Sequence, residues 1–237
     1  AFGKALHTLC EETLTKTEQY RSQEKITTLL KQQFVKELKA LPADEQHRAA
    51  NEFDLPLWMT HGIEIIPDLY RSLVEKFGKL GKDWHVLAAE EFLYQPITEF
   101  SDAEKKFKGF IDLVIYTPDT KKVHVIDWKT CSWGWDSRKK SDKMITYQLT
   151  LYKHFWAKKH GKDYRDVTTH FALLKRTAKK NNVEIFKVTN GEKKIGNALK
   201  LLNKAVYNIN KSNHVKNRLS CYGKYGVCEY YKTKHCS

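Results

Sequence analysis

Lys108-Gly-Phe-Ile-Asp112-Leu-Val-Ile-Tyr-Thr-Pro-Asp-Thr-Lys-Lys-Val-His-Val-Ile-Asp127-Trp-Lys129-Thr130 is the stretch on which the fold turns. Phe110 to Tyr116 and Val123 to Trp128 are β-branched and aromatic runs, and Pro118-Asp119-Thr120 between them reads as a hairpin turn. Both faces are apolar: Ile111, Leu113 and Ile115 point one way, Val114 and Tyr116 the other, and Val123 and Val125 oppose Ile126 and Trp128. Strands of this kind sit in the middle of a sheet covered on both sides. Asp112 and Asp127 interrupt them, and a buried carboxylate is costly unless paired or metal-bound. With the turn centred on Asp119-Thr120, Pro118 faces Lys121, and counting outward sets Asp112 opposite Asp127, with Cβ atoms about 4.5–5.5 Å apart. Lys129, two residues past Asp127, shares its face. Two carboxylates and an ammonium should therefore converge at one place in a buried sheet. A divalent cation is the natural neutraliser, and oxygen ligands with open coordination positions suit magnesium or manganese.

The 237 residues around this stretch, 41% hydrophobic and 30% charged, read most simply as one globular domain with a sizeable core. No run approaches the roughly 18 apolar residues of a membrane span, and no signal peptide is visible. A soluble, intracellular, cytoplasmic protein without a membrane partner is the expectation. The sequence opens on Ala1, so its natural start is expected to lie upstream. The net charge of +14, from 42 Lys+Arg against 28 Asp+Glu, calls for a polyanionic partner, nucleic acid before any other. Five cysteines (Cys10, Cys131, Cys221, Cys228 and Cys236), odd in number and unevenly spread, exclude the disulfide framework of a small secreted protein.

In chain order, Phe2 to about Tyr20 reads as a helix. Ser22 to Ala50 is a polar helical stretch with an apolar stripe at Leu29, Leu30, Phe34, Leu38 and Leu41, broken at Pro42. Asn51 to Gly78 carries a second helical pattern, kinked at Pro67. Residues 22–80 are expected to form a helical insertion, an arm beside the sheet. Trp84 to Tyr94 is the first strand of the core, and Gln95 to Lys108 a polar connection. The Trp133, Trp135, Arg138, Lys139 and Lys140 segment is aromatic and basic together, so its rings suit base stacking and its charges phosphates; Arg176 adds a basic turn. Ser141 to His160 is a helix with Met144, Leu151, Tyr152 and Phe155 on one face, where Gln148 needs a polar partner. Strands over 167–175 and 183–188, a helix over 195–209 and a cysteine-bearing tail at 210–237 complete the chain.

Asp112, a hairpin and Asp127-Trp-Lys129 resemble the core of the PD-(D/E)xK nucleases, and specifically their RecB-like exonuclease branch. Gly3-Lys-Ala-Leu-His7 resembles the segment that opens those enzymes, and Gln148-Leu-Thr-Leu-Tyr152 their Gln-x-x-x-Tyr signature. The resemblance implies an α/β fold: a mixed central β-sheet flanked by helices, the restriction-endonuclease-like core. It implies metal ligation by His7, Asp112, Asp127 and the Trp128 backbone carbonyl, with Glu91, slightly favoured over Glu90, as a further carboxylate. Glu11, one turn beyond His7, is a weaker candidate for a supporting role. Lys129 would orient water or stabilise developing charge, and Gln148 and Tyr152 would position the substrate strand. The implied activity is a magnesium- or manganese-dependent deoxyribonuclease, an exonuclease on DNA ends or single strands, of the kind found in DNA repair and recombination. An endonuclease or nickase of the same fold, or a catalytically silent DNA-binding module, are the alternatives. The tail is similar to that of members whose [4Fe–4S] cluster takes an upstream cysteine and three C-terminal ones. Cys221, Cys228 and Cys236, with Cys10, are the candidates for that cluster; a zinc site with His235, or plain cysteines, are the other readings.

Overall fold

The computed structural model describes residues 1–15, 22–52, 54–97, 105–213, 221–223 and 226–234. Its centre is a five-stranded mixed sheet in the order β1-β2-β3-β4-β5. Strands β1 (His85–Pro96), β2 (Lys106–Thr117) and β3 (Lys122–Cys131) are antiparallel neighbours; β4 (Val167–Lys175) runs parallel to β3, and β5 (Val183–Val188) antiparallel to β4. Parallel neighbours need a long crossover, and α5 (Ser137–Ser141) with α6 (Lys143–Lys159) supplies it between β3 and β4. The two apolar runs of the central hairpin lie in β2 and β3, inner strands covered on both faces except at the start of β2, where Lys106, Lys108 and Phe110 are exposed.

On one face α1 (Phe2–Thr15), α2 (Gln23–Lys39) and α4 (Leu55–Phe77) bury Leu6, Leu9, Leu30, Phe34, Ile65, Leu69 and Leu73 in one cluster with Leu113, Ile115, Ile126 and Trp128. On the other, α6 and α7 (Glu192–Asn210) join Leu149, Phe155, Trp156 and Val206 to Val114, Val125 and Phe171. The stretch 22–80, which also holds the short α3 (Ala43–Glu52), thus supplies much of one helical layer rather than an arm standing off from the core. Apolar residues at helical spacing mark a buried stripe but not which surface buries it. α4 continues through Pro67 without a break.

The polar connection expected from Gln95 to Lys108 is shorter than its composition suggests. Phe107 stacks on Phe155 at 4.4 Å while Lys106 and Lys108 face solvent, so β2 starts four residues before the apolar run. The first helix is described to Thr15, and the remainder of its expected length lies outside the described residues. In the tail, β6 (Tyr222–Gly223) and β7 (Gly226–Val227) pair, and Cys228 N–H donates to the Cys221 carbonyl at 2.9 Å. Cys236 and His235 lie outside the described residues.

Candidate active site

The β2–β3 ladder ends at Leu113–Ile126, and its register continues directly to Asp112 opposite Asp127. Below that point β2 pairs with β1 and β3 with β4, so the hairpin's two strands stop bonding to each other where the carboxylates stand. Asp112 occupies the gap: its Oδ2 accepts the Trp128 backbone N–H at 2.6 Å, in place of a ladder bond. Lys129, on the α6 face with Asp127, places its Nζ 2.6 Å from Asp127 Oδ2 and donates to Gln148 Oε1 at 2.9 Å. Gln148 Nε2 in turn donates to the Tyr152 hydroxyl at 3.2 Å. The partner that a glutamine on an apolar helix face requires is therefore Lys129. From α1, His7 Nδ1 lies 3.8 Å from Asp112 Oδ1, and its Nε2 shares a hydrogen bond with Thr130 Oγ1 at 3.3 Å. Residues from α1, β2, β3 and α6 meet here, and the side chains of His7 and Lys129 remain 27% and 29% exposed, so the cluster opens to solvent.

Burial first, and then the neighbouring Asp127, push Asp112 up to about 7. Burial likewise raises Asp127 against the pull of Lys129. Glu11 is driven to about 8 by burial, then by Asp112 and Glu90. Burial, with the Lys129 charge behind it, lowers His7 to about 4, which leaves its imidazole neutral near pH 7 and its nitrogens free to act as ligands. A set of acids each raised by burial, two of them also by a carboxylate neighbour, is short of positive charge. Two carboxylates and a neutral imidazole have the donor chemistry of a magnesium or manganese site. Among the described residues, no three of His, Cys, Asp and Glu stand close enough together to form a ready-made metal site.

The strand carboxylate is the main revision. Glu91 is held by Trp156 Nε1, Lys159 Nζ and His160 Nε2, each at 2.7 Å. Those donors lie eight or more residues past Gln148, about 12 Å further along α6, so Glu91 is already committed elsewhere. Glu90 is the residue whose charge Asp112 feels. Its neighbours Ala89 and Glu91 pair with Leu113 and Ile111, which puts Glu90 beside Asp112, and it holds φ at 50°. Left-handed backbone at a non-glycine residue inside a strand is a local distortion that re-aims a side chain. Gly109 belongs to no motif, yet its position matters to the site. A Cβ there would stand 2.6 Å from Tyr152 Cε1, so only glycine lets the ring lie across β2.

The residues proposed for DNA contact divide. Trp133 is 72% exposed, and Arg138 and Lys139 are exposed on α5. Trp135 packs on Phe171 and Phe186, Lys140 pairs with Glu184, and Arg176 stacks 3.9 Å over the Trp58 ring while donating to Ser132. These three tie the loop after β3 to the body of the protein. Cys10 is wholly buried among the apolar residues of the first layer, and burial pushes its thiol well up, so a thiolate ligand there would be unfavourable.

The model of the PD-(D/E)XK nuclease superfamily matches residues 1–232. This chain belongs to that superfamily. Among solved structures, a candidate exonuclease from Eubacterium rectale is similar to this superfamily member over 89% of the present chain and 73% of its own, at 13% identity and a TM-score of 0.47. No curated protein matches the chain. No described helix is long and apolar enough to cross a membrane.

Proposed function

We propose that this PD-(D/E)XK protein is a divalent-metal-dependent deoxyribonuclease of the RecB-like branch, acting as an exonuclease on DNA ends or single strands. One observation carries the reading: Asp112 and Asp127 face each other where the β2–β3 ladder ends, with Lys129 2.6 Å from Asp127. Asp112, Asp127, the neutral His7 and the Trp128 carbonyl would hold magnesium or manganese. A bound ion of this kind lowers the pKa of water and offsets charge on a phosphate. The chain's own part is positional. Gln148 fixes the Lys129 ammonium at the edge of the carboxylate pair, where it can donate to water or to a phosphate oxygen as negative charge grows. Tyr152 holds Gln148, and Gly109 leaves room for Tyr152.

Purified protein with magnesium or manganese is expected to degrade DNA, and Asp127→Asn or Lys129→Ala to abolish this; equal activity in either variant would end the proposal. End-labelled linear against circular DNA separates exonuclease from endonuclease or nickase. The Asp127–Lys129 ion pair supports one second reading, a silent DNA-binding module. Salt-sensitive DNA binding without cleavage under any divalent metal would favour it.

A further inference from the structure

The outer face of β1 and β2, just before Asp112, carries a ladder of rings and ammonium groups. Phe92, Tyr94 and Phe110 are 45%, 51% and 47% exposed. Phe92 pairs across the strands with Phe110, Tyr94 with Lys108, and Pro96 with Lys106. The Phe92 and Phe110 rings are 5.0 Å apart, and Phe92 and Tyr94 stack at 5.8 Å with 13° between their planes. Lys106 Nζ stands 4.7 Å over the Tyr94 ring, and Lys108 Nζ 6.0 Å over Phe110. Lys106, Lys108 and Phe110 share one face of β2, and Asp112 follows two residues on, at the point where the alternation breaks: Ile111 packs under α6, Leu113 under α1. The residues between them turn inward, Phe107 and Ile111 into the core under α6.

Half-exposed rings in register are a poor use of aromatic side chains unless something covers them. An apolar helix or a second sheet would leave the lysines facing a dry surface. Unpaired nucleotides satisfy both groups at once, with bases on the rings and phosphates on the ammonium groups. We propose that this face is the track along which single-stranded DNA runs into the catalytic cleft. The six steps from Lys106 to Asp112 span about 20 Å, room for a few stacked bases leading to the reacting phosphate. Bases already paired and stacked in a duplex have no free face to give these rings, so the track selects single strands. The inference deepens the nuclease reading and rests on Asp112 and Asp127 being its centre.

The test is fluorescence anisotropy in EDTA, with a labelled oligothymidylate and a blunt duplex of equal length, on an Asp127→Asn background. Replacing Phe92, Tyr94 and Phe110 together by Ala is expected to weaken single-strand binding roughly tenfold or more, with duplex binding changed less than twofold and the melting temperature kept. Lys106→Glu with Lys108→Glu should weaken it too and make the logarithmic salt slope shallower by about 1.4, the value for two phosphate contacts on a single strand. Unchanged single-strand affinity in both sets, an equal loss on duplex, binding of RNA but not DNA, or a ring variant that only turns a dimer into a monomer would each overturn the track. If the wild-type chain cuts DNA while the ring variant binds and cuts as it does, the track falls and the nuclease reading stands. If no metal supports cutting but the ring variant loses single strands, the nuclease reading falls and the track stands.

Discussion

β3 carries a buried polar cluster toward each of its ends, and the two behave differently. At the turn end, His124 shares hydrogen bonds with Thr117 at 3.0 Å, Thr168 at 2.7 Å and His170 at 3.2 Å, and Phe77 packs on both imidazoles. Burial first, then nearby positive charge, lowers His124 to about 4 and His170 to about 3, so both are neutral. Threonines and one His124–His170 contact serve the pair, and His170 Nδ1 is left without a partner among the described residues. At the other end, three residues along, Asp127 and Asp112 are raised by burial, and Asp112 is raised further by the like charge beside it. Burial perturbs both ends. Only the carboxylate end holds charge that its own neighbours do not neutralise, and that separates a binding site from a packed polar core.

The largest contrast should be in activity. Lys129→Ala or Asp127→Asn is expected to cost about 10³-fold or more in DNA cleavage, whereas His124→Asn should leave the rate within a few-fold and lower the melting temperature instead. Cleavage lost equally at both ends would erase the distinction.

Next in size, the two ends should give opposite pH slopes of stability in EDTA. The histidines titrate lower in the folded than in the unfolded chain, where His is near 6.5, so folding binds fewer protons and stability falls as pH drops from about 6.5 toward 4. Asp112 titrates higher in the folded chain, about 7 against 3.8, so its contribution falls as pH rises through that interval. Melting temperatures from pH 4.5 to 8 should show a smaller acid-side fall in a His124→Asn/His170→Asn variant and a smaller alkaline-side fall in Asp112→Asn, with His7 and Glu11 supplying what remains of each. Manganese should reduce the second fall but not the first. Its apparent affinity should rise toward tenfold per pH unit below about 7, where Asp112 must lose its proton to bind; calorimetry at pH 6, 7 and 8 measures this.

The smallest effect should come from Gly109→Ala. The new methyl would push the Tyr152 ring, at a cost of about 1–3 kcal/mol in stability, and loosen Gln148 and through it Lys129. Cleavage should fall several-fold with the fold kept, and Tyr152→Phe, which leaves the ring in place, should cost less.

Much of the centre was legible in the chain because strand geometry is periodic. A period of two and a short turn carry Asp112, Asp127 and Lys129 to their places without further information, and the i, i+4 spacing on α6 joins Gln148 to Tyr152. Glu90 and Glu91 defeated the same reasoning: adjacent residues of a strand normally point to opposite faces, and the choice depended on a left-handed residue and on three donors, two from α6 and His160 just past its end. The aromatic ladder was hidden for a related cause, since Phe92 and Phe110 are far apart in sequence and meet only through the β1–β2 register. Trp135 and Arg176 looked free for substrate until their packing partners were in view.

By itself, the order of residues determined a central hairpin, its register and the acidic pair it brings together, because these follow from local repeat and turn length. Tertiary structure decided which helices close over that hairpin, which glutamate faces the pair and which rings remain open to solvent. Those outcomes depend on packing between segments distant along the chain, and no local period encodes them.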